Sequence, residues 1–391
     1  MMRRVYMDAN ATTPLLPEVF EAMRPYFIER FGNASSVHSF GQQARGGVEQ
    51  ARMSVAALLH CRPAEIVFTS GGTESDNLAL FGATKSGDHV ITTAIEHHAV
   101  IHAAEHLARS GREVTFLPVN ADGIVDPDDV LRALRRNTRL ISVMMANNET
   151  GAIQPVEEIA KIAAEAGAQF HTDAVQAAGK LPLDVEKIGC HLLSVSGHKM
   201  HAPQGTGVLF VRKDTKIEPM FHGGTHERQR RAGTENLAGI VALGKAAEIA
   251  RLGIESGQPQ EIGALRDRME REILARVVDA GAHAGNAPRV PNTTNLWFDH
   301  LEGEALVISL DLKGLAVSGG SACASGASEP SHVLTAMRVP TARARASLRF
   351  SLSKLTTPED VDFAIEIVPQ AIAKLRELSP HYRNESPAVA V

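Results

Sequence analysis

Between residues 65 and 211, short apolar runs alternate with segments of helical periodicity. The runs have the length of strands, and each is followed by a turn or by apolar residues at helical spacing. Pro155, for example, stands where a helix can begin, and Val156, Ile159, Ala160 and Ala163 follow at that spacing. The predicted strands are residues 66–69, 89–93, 140–145, 169–172 and 191–195. Buried runs alternating with helices predict an α/β fold, a mostly parallel central sheet with helices on both faces.

The pattern changes at residues 257–260, Gly-Gln-Pro-Gln, which we interpret as a linker. A charged helix over 264–277 and short strands near 295–298 and 348–351 predict a smaller α+β domain beyond it. We therefore predict a large domain over residues 14–257 and a small domain made of residues 1–13 and 258–383. A disordered tail is expected over residues 384–391.

Composition restricts the class of protein. Hydrophobic residues make up 44% and charged residues 22%, as in a soluble globular protein. The net charge of −5 argues against a nucleic-acid-binding protein, since such proteins are usually basic. No apolar run is long enough to span a membrane, and no apolar signal segment opens the chain. Cys61, Cys190 and Cys323 lie far apart and fit neither a disulfide framework nor a zinc site, so we expect a cytoplasmic protein.

Two clusters carry the chemistry. Cys323 lies in a Gly- and Ser-rich segment, 318–328, without the apolar neighbours that pack a buried cysteine. Lys199 closes the sequence Ser-Gly-His-Lys just after a predicted strand, where a lysine can form a Schiff base with a carbonyl cofactor. Taken singly, a surface turn and a surface lysine are the ordinary alternatives. Together the two clusters predict an enzyme in which a cofactor on Lys199 activates a substrate and Cys323 accepts a group from it.

Polar residues near other strand ends indicate the class of cofactor. Gly72 and Thr73 stand between a strand and a helix, where backbone N–H groups can hold a phosphate. Asp173 ends a strand, where its carboxylate can pair with a protonated ring nitrogen or, alternatively, cap a helix. Gln176 can donate to a ring oxygen. A phosphate site, an acid and a lysine at the strand ends of one sheet predict a pyridoxal phosphate site.

Histidine and arginine residues extend the candidate site. His97 follows a strand and can stack on a planar cofactor. His98, His102 and His106 recur at i, i+4 and i+8, but no acidic or cysteine partner accompanies them in a metal-binding pattern. We interpret this stripe as a structural or solvated face and predict no metal site. Arg349, inside a strand-like run, needs either a substrate carboxylate or a structural ion pair.

Seven motifs together resemble the cysteine desulfurases, in the NifS/IscS branch of the fold-type I pyridoxal phosphate enzymes. The resemblance runs from about residue 5 to beyond residue 354, nearly the whole chain, and the ordered set of motifs is highly specific. The motifs are residues 8–14 (DANATTP), 32–38 (GNASSVH), 69–77 (TSGGTESDN), 147–151 (NNETG), 196–199 (SGHK), 231–234 (RAGT) and 321–323 (SAC).

The resemblance implies a role for each residue of the cofactor site. Lys199 would hold pyridoxal phosphate as a Schiff base and later move protons. His97 would stack on the ring and act as an acid–base group. Asp173 would face the pyridine nitrogen and Gln176 the phenolic oxygen. The residues implied in phosphate binding are Gly72, Thr73, Ser196 and His198, joined by Thr234 from a second subunit, which makes the active enzyme a homodimer.

The resemblance also implies the reaction. Asn148 and Arg349 would bind the carboxylate of L-cysteine, and Cys323 would attack its sulfur to give L-alanine and an enzyme persulfide. Residues 318–331 have the long form of this segment, in which the thiol travels to a sulfur-acceptor protein such as an iron–sulfur scaffold.

Three other functions are weighed against this one. An aminotransferase of the same fold would have no use for Cys323, and a non-catalytic scaffold of cluster assembly would tolerate the loss of Lys199 or Cys323. A selenocysteine lyase is hardly separated from a desulfurase by sequence, and the sequence does not identify the sulfur acceptor.

Overall fold

The structure, a computed structural model, describes residues 3–319, 330–378 and 382. Cys323 and the predicted tail over 384–391 lie outside the described residues. The strands in the described part are β1 (Val5–Tyr6), β2 (Ile66–Thr69), β3 (His89–Thr93), β4 (Glu113–Leu117), β5 (Thr138–Ser142), β6 (Gln169–Asp173), β7 (Leu192–Ser196), β8 (Gly207–Val211), β9 (Ala280–His283), β10 (Thr293–Phe298), β11 (Leu315–Ala316), β12 (Ser318–Gly319) and β13 (Ser347–Ser351).

Helices precede, connect and follow these strands. They are α1 (Pro17–Met23), α2 (Pro25–Ile28), α3 (Ser39–Leu59), α4 (Gly72–Ala83), α5 (His98–Arg109), α6 (Pro127–Ala133), α7 (Val156–Glu165), α8 (Val185–Ile188), α9 (Leu237–Glu255), α10 (Gln258–Leu274), α11 (Gly303–Leu312), α12 (His332–Ala336), α13 (Thr341–Arg345) and α14 (Pro358–Leu378). Short 3₁₀ turns cover Pro63–Glu65, Gly197–Lys199 and His226–Gln229.

The central sheet has, within the described residues, seven strands in the order β2-β8-β7-β6-β5-β3-β4. The pairs β3–β4, β3–β5, β5–β6 and β6–β7 are parallel, and β8 runs antiparallel to both of its neighbours, β2 and β7. One apolar cluster joins the sheet to α3, α7 and α9, and another joins it to α4 and α5. The predicted mostly parallel sheet with helices on both faces is therefore confirmed.

A second, smaller sheet has the order β12-β13-β10-β9, and its neighbouring strands are antiparallel. Its apolar residues pack with α10, α11 and α14 around Phe298 and Phe350, both fully buried. Strand β1 pairs with β11 beside it, which joins the start of the chain to this α+β part. The smaller α+β part was predicted, whereas the domain boundaries stay a prediction.

The predicted linker at residues 257–260 is wrong. Gly257 adopts a left-handed conformation with φ of 87°, and α10 begins at the next residue, Gln258. Pro259 lies in the first turn of α10, where a missing N–H costs nothing because that group has no partner within the helix. A single tight turn therefore connects α9 and α10.

A helix that crosses a membrane must be both long and apolar. Among the described residues, none combines sufficient length with sufficient apolar character. The location of the protein in the cell stays a prediction.

A buried ion pair fixes the loop that leads to Thr234. Arg52 of α3 donates from Nη1 and Nη2 to the two carboxylate oxygens of Glu227, at 2.9 and 2.8 Å. The two side chains are only 8% and 4% exposed. Glu227 also accepts from the backbone N–H of Phe68 at 2.9 Å, and it holds a strained φ of 45°. The pair thus attaches the loop to β2 and α3.

Arg52→Ala should lower the free energy of unfolding by about 3–5 kcal/mol, because it leaves the Glu227 carboxylate buried without its cation. Urea denaturation of the two proteins measures this difference. The double variant Arg52→Met with Glu227→Gln, which removes both charges, should recover most of the loss. A single variant as stable as the parent would contradict the importance of this pair.

Candidate active site

A cavity of about 590 Å³ lies at the carboxyl ends of β3, β5, β6 and β7. Parallel strands present these ends at the same edge of the sheet, so residues far apart in sequence meet there. The volume is that of a site for a small cofactor with its substrate. The predicted site residues that line it are Gly72, Thr73, His97, Asn148, Asp173, Gln176, Ser196, His198, Lys199 and Arg349.

One end of the cavity has the features of an anion site. Gly72 is the first residue of α4, so unpaired N–H groups of the first helical turn are available there. A Cβ atom at Gly72 would come within 2.9 Å of Val175 Cγ2 and 3.5 Å of Ser196 Cβ. Glycine therefore allows the backbone at this position to lie close to Val175 and Ser196. Burial, and then the charge of Lys199, lowers the pKa of His198 to about 4. The imidazole is therefore neutral near pH 7 and can offer a ligand a hydrogen bond but no charge.

Asp173 and Gln176 lie at the end of β6. Asp173 Oδ1 accepts the N–H of Val175 at 2.8 Å, and burial raises its pKa to about 6. This bond closes a turn, and no helix begins there, so the helix-cap alternative is wrong. Gln176 Nε2 donates to the carbonyl of Asn10 at 3.1 Å, while its Oε1 accepts from Lys180 at 2.6 Å.

Lys199 ends the 3₁₀ turn that follows β7. Its Nζ donates to the carbonyl oxygens of Asn10 and Ala11, both at 2.6 Å. Asn10 is itself buried, and its Nδ2 donates to the carbonyl of Asn148 at 3.1 Å. The N-terminal segment therefore connects Lys199 to Asn148 on another side of the cavity.

His97 lies at the N-terminus of α5. Its Nδ1 accepts the N–H of Ala99 at 3.2 Å, which leaves the proton of the neutral ring on Nε2. Burial is the main reason that the pKa of His97 falls to about 4, and the charge of Lys199 adds to it. The ring is therefore neutral near pH 7 and presents Nε2–H as a hydrogen-bond donor.

Arg349 occupies β13 at the opposite wall and is only 3% exposed. It donates to Asp8 Oδ1 at 2.7 Å and to the carbonyl of Asn148 at 3.1 Å. The structural ion pair that the sequence left open is therefore present. Within the described residues, however, Arg349 Nε and Asn148 Oδ1 are buried without hydrogen-bond partners. Buried polar groups without partners at the cavity wall indicate room for a polar ligand such as a carboxylate.

Two predicted residues are not brought to the cavity by the described part of the chain. Thr234 is exposed and does not line it. Cys323 lies outside the described residues, so its position is not described. Near Thr234, Arg231 pairs with Glu74 at 2.8 Å, which ties that loop to the first turn of α4.

Several residues that line the cavity were missed by sequence reasoning: Asn10, Asp76, Glu149 and His332. The first three lie inside motifs quoted for the resemblance, which was the available signal. Glu149 accepts from Ser331 Oγ at 2.5 Å, and burial raises its pKa to about 7.

The histidine stripe on α5 is only partly a structural face. His98 lines the cavity, with its ring 4.8 Å from that of His332 and 5.0 Å from that of His102. His106 points elsewhere and contacts Phe81. Among the described residues, no group of three or more His, Cys, Asp or Glu side chains is arranged to hold a metal ion.

Comparison with known proteins identifies the family. The chain matches the family model described as aminotransferase class-V over residues 5–363. It is 47% identical over 389 residues to a protein named cysteine desulfurase IscS from Dictyoglomus turgidum, with 98% of each chain covered. A solved structure of a NifS-like protein has a TM-score of 0.88 and 35% identity, covering 95% of this chain and 100% of that one. The structure described as SspA in complex with cysteine has a TM-score of 0.79 and 34% identity, covering 90% and 99%. The chain therefore belongs to the class-V aminotransferases and, within them, to the cysteine desulfurases.

Proposed function

We propose that this protein converts L-cysteine to L-alanine with pyridoxal phosphate bound to Lys199 and leaves the sulfur as a persulfide on Cys323. The observation that carries the proposal is the convergence of an anion site, the Asp173 carboxylate, Lys199 and Arg349 on one cavity. A phosphate, a ring nitrogen, an aldehyde and an amino-acid carboxylate are the groups that these residues suit.

The donor set fits the cofactor at each of its polar groups. The phosphate would be held by Gly72 and Thr73 in the first turn of α4, together with Ser196 and His198. Asp173, fixed by the N–H of Val175, would face the ring nitrogen. Gln176 accepts from Lys180 through Oε1 and donates one N–H of Nε2 to the carbonyl of Asn10, so the second N–H of Nε2 would be the donor for the phenolic oxygen. When bound, pyridoxal phosphate supplies an electron sink that acidifies the substrate Cα–H and makes the Cβ–S bond cleavable.

Arg349 and Asn148 would bind the substrate carboxylate. Arg349 is oriented by Asp8 and by the carbonyl of Asn148, and its buried Nε–H is available for an acceptor. Turning the Asn148 amide by half a rotation presents an N–H donor at the same place. Binding of a carboxylate would satisfy both groups, since each is costly to leave buried without a partner.

His97 and Lys199 would handle protons. His97 would exchange protons through Nε2, since Nδ1 is occupied by Ala99 N–H: the neutral ring donates a hydrogen bond from Nε2–H, and only the ring protonated on both nitrogens would deliver a proton. Lys199 Nζ is oriented by two carbonyl oxygens and, once released from the cofactor, would exchange a proton with the substrate carbon.

In the sulfur step, the Cys323 thiolate would attack the substrate sulfur. The new S–S bond forms as the Cβ–S bond breaks, the electron pair of that bond stays with Cβ, and a proton completes the methyl group of alanine. The other cysteines are poor candidates for this nucleophile. Burial raises the pKa of Cys61 and of Cys190 to about 12, so both stay protonated near neutral pH.

The active enzyme would be a homodimer. Six large apolar side chains are at least 48% exposed on α1, α2, the first turn of α3 and the segments between them: Phe20, Phe27, Ile28, Phe31, Val37 and Phe40. Monomeric soluble proteins rarely expose so many together, so a second copy of the chain is the proposed cover. The exposed position of Thr234 agrees with its proposed contact to the phosphate in the partner subunit.

The sulfur acceptor, for which an iron–sulfur scaffold protein is our candidate, stays a prediction. So does the preference for cysteine over selenocysteine.

Borohydride reduction followed by peptide mapping should find the cofactor on Lys199, and Lys199→Ala should lose both this adduct and turnover. Lys180 is the other lysine that could carry the cofactor. It lies close to Lys199, and burial lowers its pKa well below the usual value, which favours the neutral amine that a Schiff base needs. A reduced adduct found on Lys180 would refute the assignment.

Cys323→Ser should lower alanine formation from cysteine by at least about a thousandfold, because a hydroxyl does not accept the sulfur. Cys61→Ala and Cys190→Ala serve as matched controls and should keep turnover. Alkylation after a cysteine pulse, followed by mass spectrometry, should locate the persulfide on Cys323. Its appearance on Cys61 or Cys190 instead would overturn the proposal.

The double variant Phe27→Asp with Phe31→Asp should shift the protein from dimer to monomer in sedimentation velocity, because charges are costly in an apolar interface. Each of these residues is 62% exposed. Val278→Asp changes a side chain that is 67% exposed outside this surface, and it should leave the dimer intact. A parent protein that sediments as a fully active monomer would exclude the proposed assembly.

A further inference from the structure

A second acid lies beside Asp173 and has no role in the reaction described above. Asp76 is in the second turn of α4, is 1% exposed, and lines the same cavity. Its Oδ1 has no hydrogen-bond partner among the described residues. An ionised carboxylate in such surroundings is costly unless a cation or several donors compensate its charge.

No cation compensates Asp76 from the neighbouring strands. The closest basic group is His171 of β6, whose Nε2 is 3.7 Å from Asp76 Oδ1. Both ring nitrogens of His171 are already engaged, Nδ1 with Ser142 Oγ at 2.8 Å and Nε2 with Ser194 Oγ at 3.0 Å. Burial lowers the pKa of His171 to about 3, so the ring is neutral and forms no ion pair with Asp76.

The groups that face Asp76 favour its neutral form. Burial raises the pKa of Asp76 well above the usual value, and the charge of Asp173 and the Glu96 carboxyl raise it further. A hydrogen bond with the Ser194 side chain acts in the opposite direction; it is weaker than burial and the charge of Asp173, and stronger than the effect of Glu96. Glu96 is itself fully buried, and burial raises its pKa to about 8, so it is protonated near neutral pH.

Asp173 is the better stabilised of the two acids. It accepts the N–H of Val175 at 2.8 Å, and the positive charge of Lys199 lowers its pKa. Two carboxyl groups that share a buried site do not both ionise easily, and the one with the better compensation ionises first. The difference in surroundings therefore assigns the proton to Asp76 and the charge to Asp173.

We propose that Asp76 and Asp173 form a buried acid pair that holds one proton, kept on Asp76, so that Asp173 stays ionised. Asp76 is then a positioning residue, which acts on the cofactor only through Asp173. The consequence for the ring nitrogen rests on the proposed function, whereas the protonation of the pair does not.

The first test measures urea denaturation of the full-length chain freed of pyridoxal phosphate, as the parent and as Asp76→Asn, between about pH 5 and pH 8. A proton kept on Asp76 in the native state is lost from that residue in the unfolded chain, so the parent loses stability as the pH rises. Asparagine has no such proton. The denaturation midpoint of Asp76→Asn relative to the parent should therefore increase steadily with pH. A constant difference would overturn the proposal.

Infrared spectroscopy provides a second measurement that does not depend on how stable the variant is. The parent should show the C=O stretching band of a neutral carboxylic acid near neutral pH, and part of this band should disappear in Asp76→Asn. Loss of carboxylate absorption in its place would show that Asp76 is ionised and would refute the pair.

Binding of pyridoxal phosphate, followed by its visible absorbance, connects the pair to the cofactor. Asp173→Asn should weaken binding by at least about tenfold, which corresponds to the loss of one charge-assisted hydrogen bond, and Asp76→Asn should weaken it much less. An equal loss in both variants would place the charge on Asp76 and overturn the proposal. If the parent binds no pyridoxal phosphate while the pH and infrared results hold, the proposed function fails and the acid pair stands.

Discussion

The parallel alignment of β3, β5, β6 and β7 is the constraint on which the rest of this structure depends. Each strand is hydrogen-bonded to the next over its buried length, so the four carboxyl ends reach the same edge of the sheet. The chain turns there into loops whose polar side chains have no place in the apolar layers on either face. His97, Asn148, Asp173 and Lys199 are therefore neighbours in space although each lies at least 25 positions beyond the one before it.

The N-terminal segment and the smaller sheet close the other side of this edge. Asp8 forms a bridge with Ser351 of β13, and Asn10 bonds to Thr293 of β10 at 2.8 Å. The carbonyl of Asn10 also accepts from Lys199. One wall of the cavity thus carries the residues suited to a cofactor, and the opposite wall carries Arg349. A substrate held by its carboxylate on the smaller sheet would face groups fixed to the larger one.

Burial sets the charge of each group in this cavity more than pairwise attraction does. It lowers the pKa of His97 and His198 to about 4 and raises that of Glu149 to about 7. Neutral imidazoles donate and accept hydrogen bonds without competing with Lys199 and Arg349 for an anion. The cations therefore stay the main attraction for a phosphate and a carboxylate, and Asp173 is the acid with the best compensation.

The sequence by itself determined the layered α/β fold, because buried strands and amphipathic helices leave periodic patterns over a few residues. The bounds predicted for β2 and β3 are those of the structure. The polar residues that follow the strands line the cavity, as expected because parallel strands place their carboxyl ends at one edge of the sheet. The linker at residues 257–260 was misjudged because glycine and proline mark a loop and the start of a helix equally well. Asn10 beside Lys199, and Asp76 beside Asp173, were decided only by the tertiary structure. These residues are 189 and 97 positions apart, and no local pattern records which side chains the packing of helices on a sheet will bring together.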